Sequence, residues 1–204
     1  FSLNNTMQDP TCLQEKLARE LFLAAGVPAA RADNALVVLN GRQLGLYVLT
    51  EGYDKRLLKR HFKHTDGTFY DGGLFTDLDR RLEVVSGDEN DFTGLRAVVA
   101  AAREPDPALR FAALEKALDM DRFLSLIAME TILCHFDGYA QRRTNYRAYY
   151  DPSVGKLVIL PQGMDRVLGN FRQHLDVSLF PPMPGLAARA LLGSDEGRRR
   201  YLVR

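Results

Sequence analysis

Cysteine occurs only twice in these 204 residues, at Cys12 and Cys134, too far apart in sequence to suggest a disulfide framework. Each lies in an apolar helical pattern, where a buried free thiol is expected. An excess of either charge is missing too: 27 Lys and Arg stand against 26 Asp and Glu, a net charge of +1. So small a charge calls for no DNA, RNA or anionic membrane, and no nucleic-acid partner is expected. Nowhere does an apolar run approach the ~18–20 residues that a membrane-spanning helix needs, and no signal peptide opens the chain. Internal repeats and low-complexity tracts are absent. The chain opens on Phe1 rather than methionine and stops at Tyr201-Leu202-Val203-Arg204, so a longer parent chain is expected. What is present is a 46% hydrophobic content, enough for a sizeable core in one domain or one bilobal unit.

Apolar spacing after Asp9-Pro10, at Leu13, Leu17, Leu21 and Phe22, predicts a helix capped by Asp9 and stopped by Gly26 and Pro28. The β-rich runs 35–39 and 44–49 flank Asn40-Gly41, two residues that tolerate positive φ and suit a tight hairpin turn. A basic helix should follow over 55–62. From His64 to Asp91, glycines at 67, 72, 73 and 87 among many acids suggest an irregular surface excursion. Helical order returns over 93–103 and 107–118. Over 121–134 the apolar residues surround so much of the circumference that a buried central helix is expected. A second hairpin pairs 146–150 with 156–160 across Asp151-Pro152-Ser153-Val154-Gly155. Beyond the stiff segment 180–185, a short helix over 186–192 precedes Arg198-Arg199-Arg200, read as a solvated helix end.

The polar residues around the second hairpin suggest chemistry. Asn145 comes just before its first strand and Asp165 just after its second, so both should emerge at the open end. Asp137 lies eight residues before Asn145, at the mouth of the buried helix. Oxygen donors from three sequence positions suit magnesium with bound phosphate. Phosphoryl transfer is mostly positioning and charge neutralisation: one carboxylate orients the acceptor hydroxyl, while an amide oxygen and a second carboxylate hold the metal. Acid, short loop, Asn, hairpin, acid is the order in the catalytic half of a protein kinase. The His-Arg-Asp and Asp-Phe-Gly words are missing, and the Asp-to-Asn interval is longer than usual.

Several stretches resemble one family, in its own order and over nearly the whole chain. They are Phe1-Ser2-Leu3-Asn4-Asn5, Glu15 to Phe22 with Ala25-Gly26-Val27-Pro28, Leu39-Asn40-Gly41 with Leu44-Gly45-Leu46-Tyr47, Asp54-Lys55-Arg56, Asp137-Gly138-Tyr139, Asn145-Tyr146 and Gly163-Met164-Asp165. Together they resemble the CotH kinases. The resemblance implies an α+β, atypical protein-kinase-like bilobal fold, here truncated at its N-terminus. Residues 1–54 would be the remainder of the N-lobe and 55–204 a mainly helical C-lobe. It further implies an ATP- and Mg2+-dependent kinase, Mn2+ being the alternative ion. Its targets would be Ser or Thr in protein substrates, spore-coat proteins among them, in a bacterial setting at a spore surface or an exported location.

On that resemblance Asp137 matches the catalytic aspartate and Asn145 the metal-proximal asparagine. The family usually reads Pro-Trp-Asp-x-Asp where this chain has Pro161-Gln162-Gly163-Met164-Asp165, so Gly163 replaces the first aspartate and Asp165 is left to hold the metal. Backbone rotation at Gly163 could absorb the two-residue shift. The phosphate-contacting lysine is expected upstream of Phe1.

Each assignment has a plainer counterpart. Asp137 and Asn145 could simply shape turns, and Asp165 could pair with Arg166. Glu51 leaves the first hairpin where a kinase hinge would contact nucleotide, but a solvated carboxylate serves there equally well. Glu15 and Glu20 are candidates for the helix glutamate that pairs with the missing lysine, although an exposed helix face is the stronger expectation for both. His61, His64, His135 and His174 lack zinc spacing, and His135 is read as loop support. Tyr139, Tyr146, Tyr149 and Tyr150 are expected to pack rather than stack on nucleotide. The rival functions are a pseudokinase or scaffold that binds surface or coat proteins, and a metal-dependent phosphohydrolase.

Overall fold

The computed structural model describes residues 1–169 and 178–204, so His174 lies outside the described residues. Two antiparallel sheets and eight helices make up the described residues, an α+β architecture. The first sheet has the order β1-β3-β2, from β1 (Ser2–Asn4), β2 (Ala32–Leu39) and β3 (Arg42–Thr50). Asn40 and Gly41 turn its hairpin with φ of 51° and 79°, as the dipeptide requires. A bulge between Val37 and Val38 offsets the pairing near that turn. Helix α1 (Gln14–Ala24) lies between β1 and β2. Asp9 does serve its start, although from further back than a standard cap: its Oδ2 accepts from Gln14 N at 2.8 Å while Pro10 stays outside the helix.

After α2 (Lys55–His61), the excursion expected to be irregular contains two strands. β4 (Thr68–Asp71) and β5 (Glu83–Ser86) join β6 (Tyr146–Asp151) and β7 (Lys156–Pro161) in a sheet of order β5-β4-β6-β7. Thr68-Phe69-Tyr70 and Val84-Val85 carry the strand chemistry in that glycine-rich stretch, and the first three are buried where they pair with β6. Long-range pairing thus overrides the local composition.

Helices α3 (Thr93–Ala102), α4 (Pro107–Ala117) and α5 (Met120–Ile132) follow the predicted spans closely. Asp106 caps α4 by accepting from Ala108 and Leu109, with Pro107 at the first helical position. The short α6 (Tyr139–Arg142), α7 (Leu186–Leu192) and α8 (Asp195–Leu202) complete the chain. As its all-round apolar pattern required, α5 is central: Phe123, Leu124, Leu126 and Ile127 are fully buried, and the helix packs on β7, α1 and α8. A second, smaller cluster of Leu57, Leu58, Phe62, Phe69, Tyr149, Val158 and Leu160 seals the opposite face of the four-stranded sheet. That sheet is therefore covered on both sides, and its β6–β7 end is a rigid base for whatever projects from it. Cys12 and Cys134 are buried free thiols, and Tyr139, Tyr146 and Tyr149 are core residues, all as expected.

Candidate functional site

The β6–β7 ladder runs from Asp151 opposite Lys156 to Tyr146 opposite Pro161, with its turn at 152–155. At the open end Gln162 N donates to Asn145 O at 2.8 Å and extends the pairing by one step. Asn145 adopts left-handed backbone with φ of 49°, and Gly163 does the same with φ of 58°. A Cβ on Gly163 would lie 2.6 Å from Asn145 Oδ1, so the amide occupies the space that any side chain at 163 would need. The half-buried Asn145 amide therefore packs directly against the Gly163 backbone.

Beyond Gly163 the chain is strapped on two sides. Met164 N donates to Glu15 Oε2 at 2.8 Å and Val167 N to Gln14 Oε1 at 3.1 Å, tying the segment to the first turn of α1. Leu168 N donates to Leu133 O at 2.6 Å, tying it to the turn after α5. Asp165, half-buried between these anchors, accepts from Asn4 Nδ2 at 3.2 Å.

Glu15 and Arg19 form a buried ion pair on α1. For Glu15 this overturns the exposed-face expectation, whereas Glu20 is exposed as expected. Arg19 Nη1 also donates to Tyr53 Oη at 3.0 Å and to Ala30 O at 3.2 Å, and Tyr53 Oη donates to Pro161 O at 2.6 Å. A continuous polar chain therefore links both ends of the 161–164 segment through α1 and the residues after β3. Buried pairs of this kind add little net stability when intact, yet removing one partner leaves an uncompensated charge.

These groups border a cleft of about 370 Å³ lined by Asn4, Glu15, Arg19, Glu51, Tyr53, Arg147 and Gly163, among others. The guanidiniums of Arg19 and Arg147 sit 5.8 and 5.4 Å from the Tyr53 ring centre. Arg147 is ion-paired with Asp71, and its Nε is buried without a hydrogen-bond partner. Glu51 does line this cleft, but its carboxylate accepts from Arg31 N at 2.9 Å and is ion-paired with Arg60.

Asp137 lies in the turn between α5 and α6, half-buried. A residue absent from our sequence reading holds that turn. Glu130, buried in α5, accepts from Tyr139 N and Ala140 N, each at 2.9 Å. Gly138 is needed for this approach, because a Cβ there would meet Glu130 Oε1 at 2.5 Å. Burial pushes the Glu130 carboxyl up to about 7, against the pull of the two N–H groups. His135 is fully buried in the same turn, as its role in loop support requires, and its N donates to Glu130 O at 2.7 Å. Burial pushes its imidazole down to about 4, only partly offset by the Gln162 backbone, and neither ring nitrogen makes a hydrogen bond of good geometry.

The segment that carries Asp165 therefore hydrogen-bonds both to Asn145 and to the turn that leads to Asp137. Among the described residues no group of three or more His, Cys, Asp or Glu side chains is placed to hold a metal. The oxygen donors on offer are two carboxylates and one amide, a hard set that suits Mg2+ better than a softer ion. Sequence reasoning missed Glu130, Arg19, Tyr53 and Arg147. An acid deep inside the apolar α5 pattern, beyond the first-turn Asp121, was a usable signal for Glu130, while nothing local marked the other three.

A mixed α+β chain with a polar cleft whose wall includes the segment just after a covered hairpin is the class of protein that the geometry defines. The family model described as CotH kinase protein matches residues 1–198, and the chain belongs to that family. It is 25% identical to the inner spore coat protein H of Bacillus subtilis (strain 168) over 218 residues, covering 98% of this chain and 59% of that protein. It is also 25% identical to the invasin CotH3 of Rhizopus delemar over 195 residues, covering 83% of this chain and 31% of that protein. The chain thus spans less than two thirds of the length of either relative. Among the described residues no helix is long and apolar enough to cross a membrane.

Proposed function

We propose that this chain is a protein kinase that transfers the γ-phosphoryl group of ATP to Ser or Thr hydroxyls of a protein substrate. In this reading the fold is kinase-like and bilobal, with 1–54 and 55–204 as the two lobes and the cleft between them receiving the nucleotide. The observation that carries it is the strapping of the 162–168 segment to Asn145, to the turn before Asp137 and to α1, with Gln162 and Gly163 of that segment lining the cleft. Asp137 orients the acceptor hydroxyl and takes its proton. Asn145 and Asp165 are the residues that would hold Mg2+ or Mn2+, and the donor chemistry fits a hard cation. When bound, the ion and ATP supply the phosphoryl group and neutralise its charge. Arg19 and Arg147 add fixed positive charge to the cleft wall, and Glu130 positions the turn that carries Asp137. Glu51, already held by Arg60, contributes shape more than charge. The name of the bacterial relative supports a location at a spore coat, where the substrate would be a coat or surface protein rich in Ser or Thr.

Gly163 favours a second reading, a scaffold that binds coat or surface proteins without transferring phosphate, because the 163 position supplies no carboxylate and has no room for one. Incubation with labelled ATP, Mg2+ and a Ser-rich acceptor separates the readings. Asp137→Ala is expected to cut acceptor labelling by at least about a hundredfold, the scale of a lost general base. Equal background labelling by wild type and Asp137→Ala, with no phosphate released, would remove the enzyme reading and favour the scaffold. Phosphate release without acceptor labelling would point to a phosphohydrolase.

A further inference from the structure

Two cavities away from the cleft share Asp79 and Arg80. The smaller, about 240 Å³, is bordered by Arg80 from the loop after β4, Arg143 at the end of α6 and Arg189 on α7. Its two aspartates are engaged elsewhere. Asp77 Oδ1 accepts from Leu78 N at 2.7 Å and Tyr139 Oη at 3.2 Å, and its Oδ2 accepts from Leu186 N at 2.8 Å. Asp79 pairs with Arg103 at 3.1 Å. Among the described residues no carboxylate forms an ion pair with Arg80, Arg143 or Arg189. Arg143 has left-handed backbone, φ 57°, and its Nε is buried without a hydrogen-bond partner. Three guanidiniums with no ion-paired carboxylate among the described residues, around one small polar cavity whose two aspartates are engaged by other donors, suit a phosphate monoester, whose oxygens match forked donors. The larger cavity, about 620 Å³, continues from Arg80 over an apolar floor of Leu78, Phe92, Leu95 and Val99. That floor gives room for residues flanking the phosphate, which favours a polypeptide over a free ion.

We propose that the smaller cavity binds the phosphate of a phosphorylated Ser or Thr in a polypeptide, with the flanking residues in the larger groove. Arg143 stands six residues after Asp137 and two before Asn145, on the segment that joins two residues of the candidate site. A substrate already phosphorylated once would then be held while further hydroxyls are presented. That use of the cavity rests on the kinase reading, but the binding itself does not.

Fluorescence anisotropy on the full chain carrying Asp137→Ala, in which no transfer intervenes, tests it with a labelled phosphoserine peptide, the matching serine peptide and inorganic phosphate as competitor. The phosphopeptide is expected to bind about tenfold more tightly than the serine peptide, and Arg189→Gln to remove about that factor while leaving the serine peptide unchanged. Arg189 and Arg80 are exposed, so their substitution spares the core; Arg143→Gln should match the loss in a protein whose circular dichroism is unaltered. Equal affinity for the two peptides, or phosphopeptide affinity indifferent to both Arg189→Gln and Arg80→Gln, overturns the site. Inorganic phosphate competing mole for mole overturns the polypeptide as occupant. Failure of the kinase reading shows separately, as wild-type labelling no greater than that of Asp137→Ala.

Discussion

The two sheets are written in similar residues and meet different fates. In the β6–β7 hairpin, Leu157, Val158, Ile159 and Leu160 are all 2% exposed or less. In the β2–β3 hairpin, Leu36, Val38 and Leu39 are 80%, 59% and 60% exposed. The difference lies in what covers each sheet. Helices α3, α4 and α5 pack on β7 from one side and the Leu57–Leu58–Phe62 cluster closes the other, whereas α1 reaches only part of β2. Strand sequence therefore sets the hairpin, and neighbours set its burial. Asn145 and Asp165 spring from the covered sheet and Glu51 from the end of the open one, so the proposed metal ligands have the more rigid base.

The bluntest way to break this contrast is truncation in each hairpin. Leu160→Ala is expected to destabilise by about 2–5 kcal/mol, since a fully buried leucine loses both transfer energy and packing. Leu36→Ala should stay within about 0.5 kcal/mol, as surface substitutions do. Urea unfolding of both variants checks this, and comparable losses would mean that the open hairpin is covered by another surface in solution.

A sharper contrast concerns buried charge. The folded pKa of Glu130, about 7, exceeds its ordinary 4.5, so its contribution is full below pH 4.5 and is lost as pH rises through 7. The folded pKa of His135, about 4, lies below its ordinary 6.5, so stability is lost as pH falls from 6.5 to 4. Between pH 4.5 and 6.5 the two slopes oppose each other and nearly cancel. Glu130→Gln should uncover the histidine slope: relative to wild type, stability rises by about 1.4 kcal/mol per pH unit across that window. Chemical unfolding at pH 4.5, 5.5 and 6.5 measures it, and parallel curves for variant and wild type would refute the assignment. On the open sheet, the exposed Asp33 is held below its usual range chiefly by a hydrogen bond from Lys16, and Asp33→Asn should give only a weak change that fades with salt.

That asymmetry also governs what the sequence made legible. Both hairpins, the capped α4 and the central α5 could be read from periodicity and turn residues, because those signals are local. Asp137, Asn145 and Asp165 were legible as three donors, and the hairpin alone argued that two of them share an end. β4 was not, because three strand residues among glycines become a strand by pairing with β5 on one side and with β6, about eighty positions later, on the other. Glu15 looked like one more helix-face acid, and its burial depends on Arg19 beside it and on Met164 N from the far end of the chain. Glu130 stood in plain view, but its partners are backbone amides that no side-chain pattern announces.

The finest comparison sets one glycine from each sheet against the other. Gly41 in the open hairpin and Gly163 beside the covered one both have positive φ, 79° and 58°, so an added Cβ strains either backbone by about 1–2 kcal/mol. Around Gly41 a Cβ would meet nothing within 4 Å, while at Gly163 it meets Asn145 Oδ1 at 2.6 Å. Gly163→Ala should therefore cost about 1 kcal/mol more than Gly41→Ala, the excess being the displacement of the Asn145 side chain. Because that amide is a proposed metal ligand, Gly163→Ala should also lower acceptor labelling, whereas Gly41→Ala leaves it unchanged. Equal stability losses with labelling preserved in both would mean that Asn145 yields freely, and that its packing against Gly163 does not hold it in place for the metal.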